Sequence, residues 1–147
     1  MKFAAILICL SFLFQDIPFK AKEEFELILD FQFRPRPKTT GKVDFGNTSN
    51  TPLPHLSMKL NVLKVLDDEY RVRVQDGRGN VLSSKQLSRG TSVDFELGYT
   101  DDLKDGVASH RYYIRFYDRQ KDLRRQIVIS FDEDGRYKVN DEVRGKI

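Results

Sequence analysis

Beyond its first twenty or so residues the chain alternates between apolar and polar side chains with a period of two. In EFELILDFQFR, residues 24–34, Phe25, Leu27, Leu29, Phe31 and Phe33 fall on one face. Glu24, Glu26, Asp30, Gln32 and Arg34 fall on the other, with Ile28 the exception. Successive side chains of an extended chain point to opposite sides, so this pattern predicts a long strand with one face buried. Arg34-Pro35-Arg36-Pro37 ends it, because proline has no N–H to give a ladder. Residues 38–55, rich in Thr, Asn, Gly and Pro, read as a loop with a short edge strand at 43–45, and residues 56–66 as the second strand. Asp67-Asp68-Glu69 makes a turn. YRVRVQ then buries Tyr70, Val72 and Val74 and exposes Arg71 and Arg73. DGRG, residues 76–79, is a hairpin turn in which glycine supplies positive φ. The returning NVLSSKQL, then TSVDFEL with Val93, Phe95 and Leu97 inward, HRYYIRFYD with Tyr112, Ile114 and Phe116 inward, RQIVIS and RYKVN complete the set. Residues 101–106 allow one helical turn, and no stretch holds a helical period over ten residues.

The fold class that follows is all-β: an antiparallel β-sandwich of about 7–9 short strands after an N-terminal signal segment. The rhythm YRVRVQDGRGNVLSSKQL…VDFEL…HRYYIRFYD, over residues 58–131, resembles the immunoglobulin-like and fibronectin type III-like modules of secreted bacterial proteins. It is also similar to the small sandwich tails of bacterial type IX secretion cargo. The resemblance implies an immunoglobulin-like sandwich in an extracytoplasmic setting and names no activity. The chain departs from it in the hairpin after residue 131. With no tryptophan, it also lacks the Cys…Trp…Cys mark of true immunoglobulin domains.

Lys2 followed by FAAILICLSFLF, residues 3–14, has the form of a signal peptide, and the apolar run is shorter than the roughly 20 residues a membrane-spanning helix needs. Residues 1–21 are therefore expected to be a signal peptide or uncleaved anchor, with Ala21 at −1 and Phe19 at −3. Residues 22–147 are expected to form one sandwich domain exported to the periplasm, cell surface or medium. Attachment to a membrane is expected only if the first segment stays on. Cys9 is the single cysteine and lies inside the apolar run after Ile8, a context unlike that of a lipidated cysteine. An exported domain would thus have neither disulfide nor thiol. The 25 basic and 22 acidic residues leave a formal charge of +3, too even a balance to point to nucleic acid.

The candidate chemistry is sparse. In ISFDEDGRYKVND, a three-residue loop Glu133-Asp134-Gly135 pairs Phe131 with Tyr137 and Ile129 with Val139, keeping the apolar residues on one face. An EF-hand counted from Asp132 would need ligands at Arg136 and Val143, so the acidic run reads as a turn and no metal is expected. His55 and His110 stand in no metal-ligand spacing, and no nucleophile elbow or phosphate loop occurs, so neither enzyme nor cofactor is expected. Asn47-Thr48-Ser49 fits the N-glycosylation pattern, of consequence only in a eukaryotic secretory pathway. The feature that stands out is the outward face of residues 111–119, where Arg111, Tyr113, Arg115, Tyr117 and Arg119 alternate. If residues 70–75 lie beside it, Arg71 and Arg73 widen the stripe, and Lys121, Arg124 and Arg125 extend it. Tyrosine offers an apolar plate with a polar tip, and arginine a planar fork of donors. The expected function is a non-catalytic interaction or structural module of the cell envelope. Its partner would be an envelope or extracellular protein, or a glycan. The alternatives are a carbohydrate-binding accessory domain and a small hydrolase or inhibitor.

Overall fold

The alternating segments form strands in the computed structural model, which describes residues 17–21, 24–35, 52–104 and 110–147. The strands are β1 (Ile17–Ala21), β2 (Phe25–Arg34), β3 (Leu53–Val62), β4 (Arg71–Asp76), β5 (Val81–Gln86), β6 (Ser92–Tyr99), β7 (Arg111–Tyr117), β8 (Leu123–Phe131), β9 (Arg136–Val139) and β10 (Glu142–Lys146). One helical turn, α1 (Thr100–Leu103), follows β6 and drives Leu103 wholly into the core. Two antiparallel sheets result. Sheet A has the order β1-β2-β3-β6 and sheet B the order β10-β9-β8-β7-β4-β5. The chain passes from one sheet to the other at β3–β4, β5–β6 and β6–β7, and the two sheets face each other across a shared core.

That packing follows from the period-two pattern. Leu27 and Leu29 of β2, Leu56, Met58, Leu60 and Val62 of β3, and Val93 and Phe95 of β6 face Val72 and Val74 of β4, Ile114 and Phe116 of β7, and Ile127 and Ile129 of β8 in one buried cluster. Tyr112 packs at 6.4 Å from Phe95 across the sheets. Its hydroxyl donates to the carbonyl of Leu97 on β6, so a phenol on sheet B is tied to the backbone of sheet A. Burial, and after it the negative charge of Asp76, pushes this phenol up to about 12.

The hairpin at Asp132 has the expected register, with Phe131 opposite Tyr137 and Ile129 opposite Val139. Gly135 has φ +76 and its N–H donates to Asp132 O at 2.9 Å. It is also a point of close approach, because a Cβ there would stand 2.9 Å from Ile147 O.

Several boundaries differ from the expectation. Phe33 is not inward but 56% exposed, its ring edge-on to Phe31, because β2 at this end has run past the core. Tyr70 is only half-buried and precedes β4. Leu53-Pro54-His55 belongs to β3 rather than to a loop, since the long β2 offers partners as far as Arg34. Pro54 is tolerated because β6 pairs with β3 only from His55 onward. β3 in turn ends at Val62 rather than running to residue 66. The expected edge strand at residues 43–45 lies outside the described residues. Ile17–Ala21, expected at the end of the signal segment, pairs as β1 along the edge of β2. β10 goes unannounced by the apolar pattern because four of its five residues are exposed. Its turn, Asn140-Asp141 with φ of 50° and 67°, is nonetheless a sequence-readable pair for a two-residue hairpin.

Candidate functional site

β4 and β7 are neighbours in register, Arg71 opposite Tyr117, Arg73 opposite Arg115 and Gln75 opposite Tyr113. Because Val72, Val74, Tyr112, Ile114 and Phe116 are held in the core, strict alternation turns Arg71, Arg73, Arg111, Tyr113, Arg115 and Tyr117 to the outer side of sheet B. Arg119 follows in the turn after β7 and is exposed. The structure thus gathers six of the seven residues picked out in the sequence on one face, with Arg119 beyond its end.

The tyrosines do not stand free. The Arg115 guanidinium lies 4.8 Å over the Tyr113 ring, that of Arg73 5.5 Å over Tyr117, and that of Arg119 5.3 Å over Tyr70. The rings act as pedestals for cations. Arg115 is held further, its Nε donating to Gln126 Oε1 at 2.7 Å and its Nη1 to Gln75 Oε1 at 2.9 Å. Arg71 Nη1 reaches Ser84 Oγ on β5 at 3.3 Å. Arg73 Nε is buried and meets no hydrogen-bond acceptor.

Among the described residues none of Arg71, Arg73, Arg111, Arg115 and Arg119 has a carboxylate within 4 Å. By contrast Arg34, Arg124, Arg125, Arg136 and Arg144 each do. Arg78 and Arg89 also lack one, but they sit apart, in the exposed turns flanking β5. Five of the seven described arginines without acidic partners therefore belong to β4, β7 and the turn after β7.

The proposed extension of the stripe is corrected. Arg125 does not join it. Counting back from the buried Ile127 and Ile129 puts Arg125 on the inner side, opposite Phe116. It lies 4.1 Å over the Phe116 ring, and its donors meet Glu24 Oε2 at 2.8 Å and Glu69 Oε1 at 3.0 Å. Glu24 precedes β2 of sheet A and Glu69 precedes β4 of sheet B, so this arginine clasps the two layers. It also brings two carboxylates to one guanidinium, with Glu69 Oε2 accepting Leu66 N–H as well. Arg124 does point outward, but it pairs with the buried Asp118 at 2.8 Å. Lys121 sits exposed in the same turn with φ of 72°.

The histidines do not meet. His55 is nearly buried on sheet A, 3.3 Å from Glu96 and edge-on to Tyr99. Burial lowers its pKa, the Glu96 charge works against that, and the Arg34 charge adds to it. His110 lies at the start of β7, beside a hollow of about 490 Å³ that is also lined by Arg111, Asp132, Asp134, Arg136 and Lys138. Asp132 in that hollow faces Arg136 at 3.0 Å and Lys138 at 3.7 Å. No group of three or more His, Cys, Asp or Glu side chains among the described residues is placed to hold a metal ion. No helix among them is long and apolar enough to cross a membrane.

Comparison with protein-family models, curated proteins and solved structures finds no match for this chain.

Proposed function

We propose that the chain is an exported, non-catalytic interaction module of immunoglobulin type whose basic sheet-B face docks on an acidic partner. The observation that carries this reading is the cluster of five arginines without carboxylate partners, in a protein whose other described arginines are mostly ion-paired. A sheet face serving only as a solvated surface gains by interleaving opposite charges across its strands, and like charges set opposite one another oppose folding. Arg73 facing Arg115 runs against that rule. Arginine and tyrosine are also among the side chains enriched at the energetic centres of protein interfaces.

The immunoglobulin-type reading is supported by strand order. β2, β3 and β6 take the places of strands A, B and E, while β5, β4, β7 and β8 take those of C′, C, F and G. Tyr112, near the start of the strand in the F position, likewise bonds its hydroxyl back to upstream backbone, at Leu97 of the preceding strand. The module adds β1 beyond A and the β9–β10 hairpin beyond G. The signal-like pattern of Lys2 and the apolar run at residues 3–14 supports export.

The carbohydrate alternative is weakened by the cation–ring contacts. A sugar ring needs an open aromatic plate, and a guanidinium already lies over one face of each of Tyr113 and Tyr117.

The test replaces Tyr113 and Tyr117 with serine together, removing the pedestals while leaving every arginine in place. The variant is expected to fold and to lose a partner captured from the native envelope fraction. Reduced stability with undiminished capture would show that the tyrosines serve the sheet alone.

A further inference from the structure

At the centre of the basic face Arg73 of β4 and Arg115 of β7 stand directly opposite each other. Both guanidinium groups are positioned in advance. Arg73 rests on Tyr117, while Arg115 rests on Tyr113 and is held between Gln75 and Gln126. Neither has an acidic neighbour among the described residues, and Arg73 keeps a buried Nε–H with no acceptor. A buried donor without a partner and two like charges opposite in the strand register both work against the folded state. The like-charge opposition is relieved by a partner's carboxylate, since a guanidinium presents paired N–H groups that match one.

We infer that Arg73 and Arg115 form a seat for a carboxylate carried by an acidic protein segment. The inference rests on the reading of this face as a docking surface and names its centre and the chemistry it takes. Three observations favour a protein carboxylate. A guanidinium already lies where a sugar would stack on each of Tyr113 and Tyr117. Arg71 lies two residues from Arg73 on the same strand, about 7 Å away, the spacing at which an extended segment repeats its side chains on one side. Arg111 and Arg119 supply further positive charge at the two ends of β7.

The test uses the whole chain and fluorescently labelled poly-L-glutamate, read by anisotropy at low and at physiological salt. One variant carries Arg73→Gln with Arg115→Gln, and a second carries Arg111→Gln with Arg119→Gln. The formal charge removed is the same in both. Wild type is expected to bind. The central pair is expected to lose at least about tenfold in affinity, as fits charge-assisted hydrogen bonds. The outer pair is expected to lose no more than about threefold, as exposed charges do. The central variant is also expected to melt no lower than wild type, because the opposition of the two arginines is relieved.

Equal losses in the two variants would overturn the seat while leaving the basic face as a diffuse field. A central variant that melts well below wild type would make the two arginines structural props and overturn the seat as well. Binding of a sulfated glycan but not of poly-L-glutamate would overturn the choice of a protein carboxylate. Failure of wild type to bind either probe would overturn the reading of the face together with the seat.

Discussion

Replacing Arg125 with methionine removes the charge that clasps the two sheets while keeping a flexible apolar stem over Phe116. In the native protein this guanidinium meets Glu24 at 2.8 Å and Glu69 at 3.0 Å and lies 4.1 Å and 5.7 Å from the Phe116 and Phe25 ring centres. The Glu69 side chain is 1% exposed, so without Arg125 its carboxylate is left in the interior with little more than the Leu66 N–H to satisfy it. Removing one partner of a buried ion pair costs about 3–5 kcal/mol. Glu24 retains 23% exposure and Arg125 17%, so water softens the loss and the lower end applies, about 3 kcal/mol. That is a large part of the roughly 5–15 kcal/mol by which domains of this size are stable. It corresponds to a melting temperature lower by about 6–12 °C. The assay is urea unfolding of Arg125→Met, Glu69→Gln and the double variant. Direct pairing requires the double variant to be more stable than the sum of the single losses by at least about 1 kcal/mol. A loss below about 1 kcal/mol for Arg125→Met, or strict additivity of the two changes, would refute the clasp.

Tyr112→Phe is expected to cost about 1–3 kcal/mol in urea unfolding, because the Leu97 carbonyl loses its partner in the interior. The wild-type phenol, raised from 10.0 to about 12 by burial and then by Asp76, should stay protonated in an ultraviolet titration until well after exposed tyrosines have ionised. Its stabilising contribution is complete below pH 10, where both folded and unfolded phenols are neutral, and is lost as pH rises toward 12. His55 has the opposite dependence. Its folded pKa lies below 6.5, so above that value neither state is charged. As pH falls through 6.5 the unfolded chain takes up the proton first and stability drops. His55→Gln should therefore lose less stability than wild type between pH 7.5 and 5 in paired urea curves, and an unchanged pH dependence would contradict the burial. Gly135→Ala forces an L side chain into φ +76 and puts its Cβ 2.8 Å from Lys104 Cε and 2.9 Å from Ile147 O. It should cost about 1–2 kcal/mol by thermal melting.

The sandwich was legible in the sequence because most strands have one wet and one dry face, and period two records that directly. The same alternation placed the arginines and tyrosines of β7 on the outside. It would also have turned Arg125 inward, counted back from Ile127, since position rather than charge decides which face a side chain takes. β10 escaped because an edge strand with four exposed residues of five carries no apolar record. Phe33 misled for the converse reason: the alternation of β2 continues past the end of the core it packs on. That Arg73 stands opposite Arg115 was beyond the sequence, because it depends on which strands pair and in what register. The arginines that lack acidic partners could not be told from those that have them for the same reason. The carboxylates that pair Arg34 and Arg125 come from residues 62, 101 and 56 positions away in the chain.

The central claim is that the arginines of β4 and β7 are kept without carboxylate partners so that an acidic partner can supply them. It is tested most directly by affinity capture from the native envelope fraction at low and at high salt. The bait is either the wild-type chain or a variant with Arg71, Arg73, Arg111, Arg115 and Arg119 all changed to glutamine. Both baits must first be shown to melt cooperatively. The expected result is a stoichiometric acidic protein held by wild type, released by salt and absent from the variant. The same proteins on both baits, unchanged by salt, would contradict it.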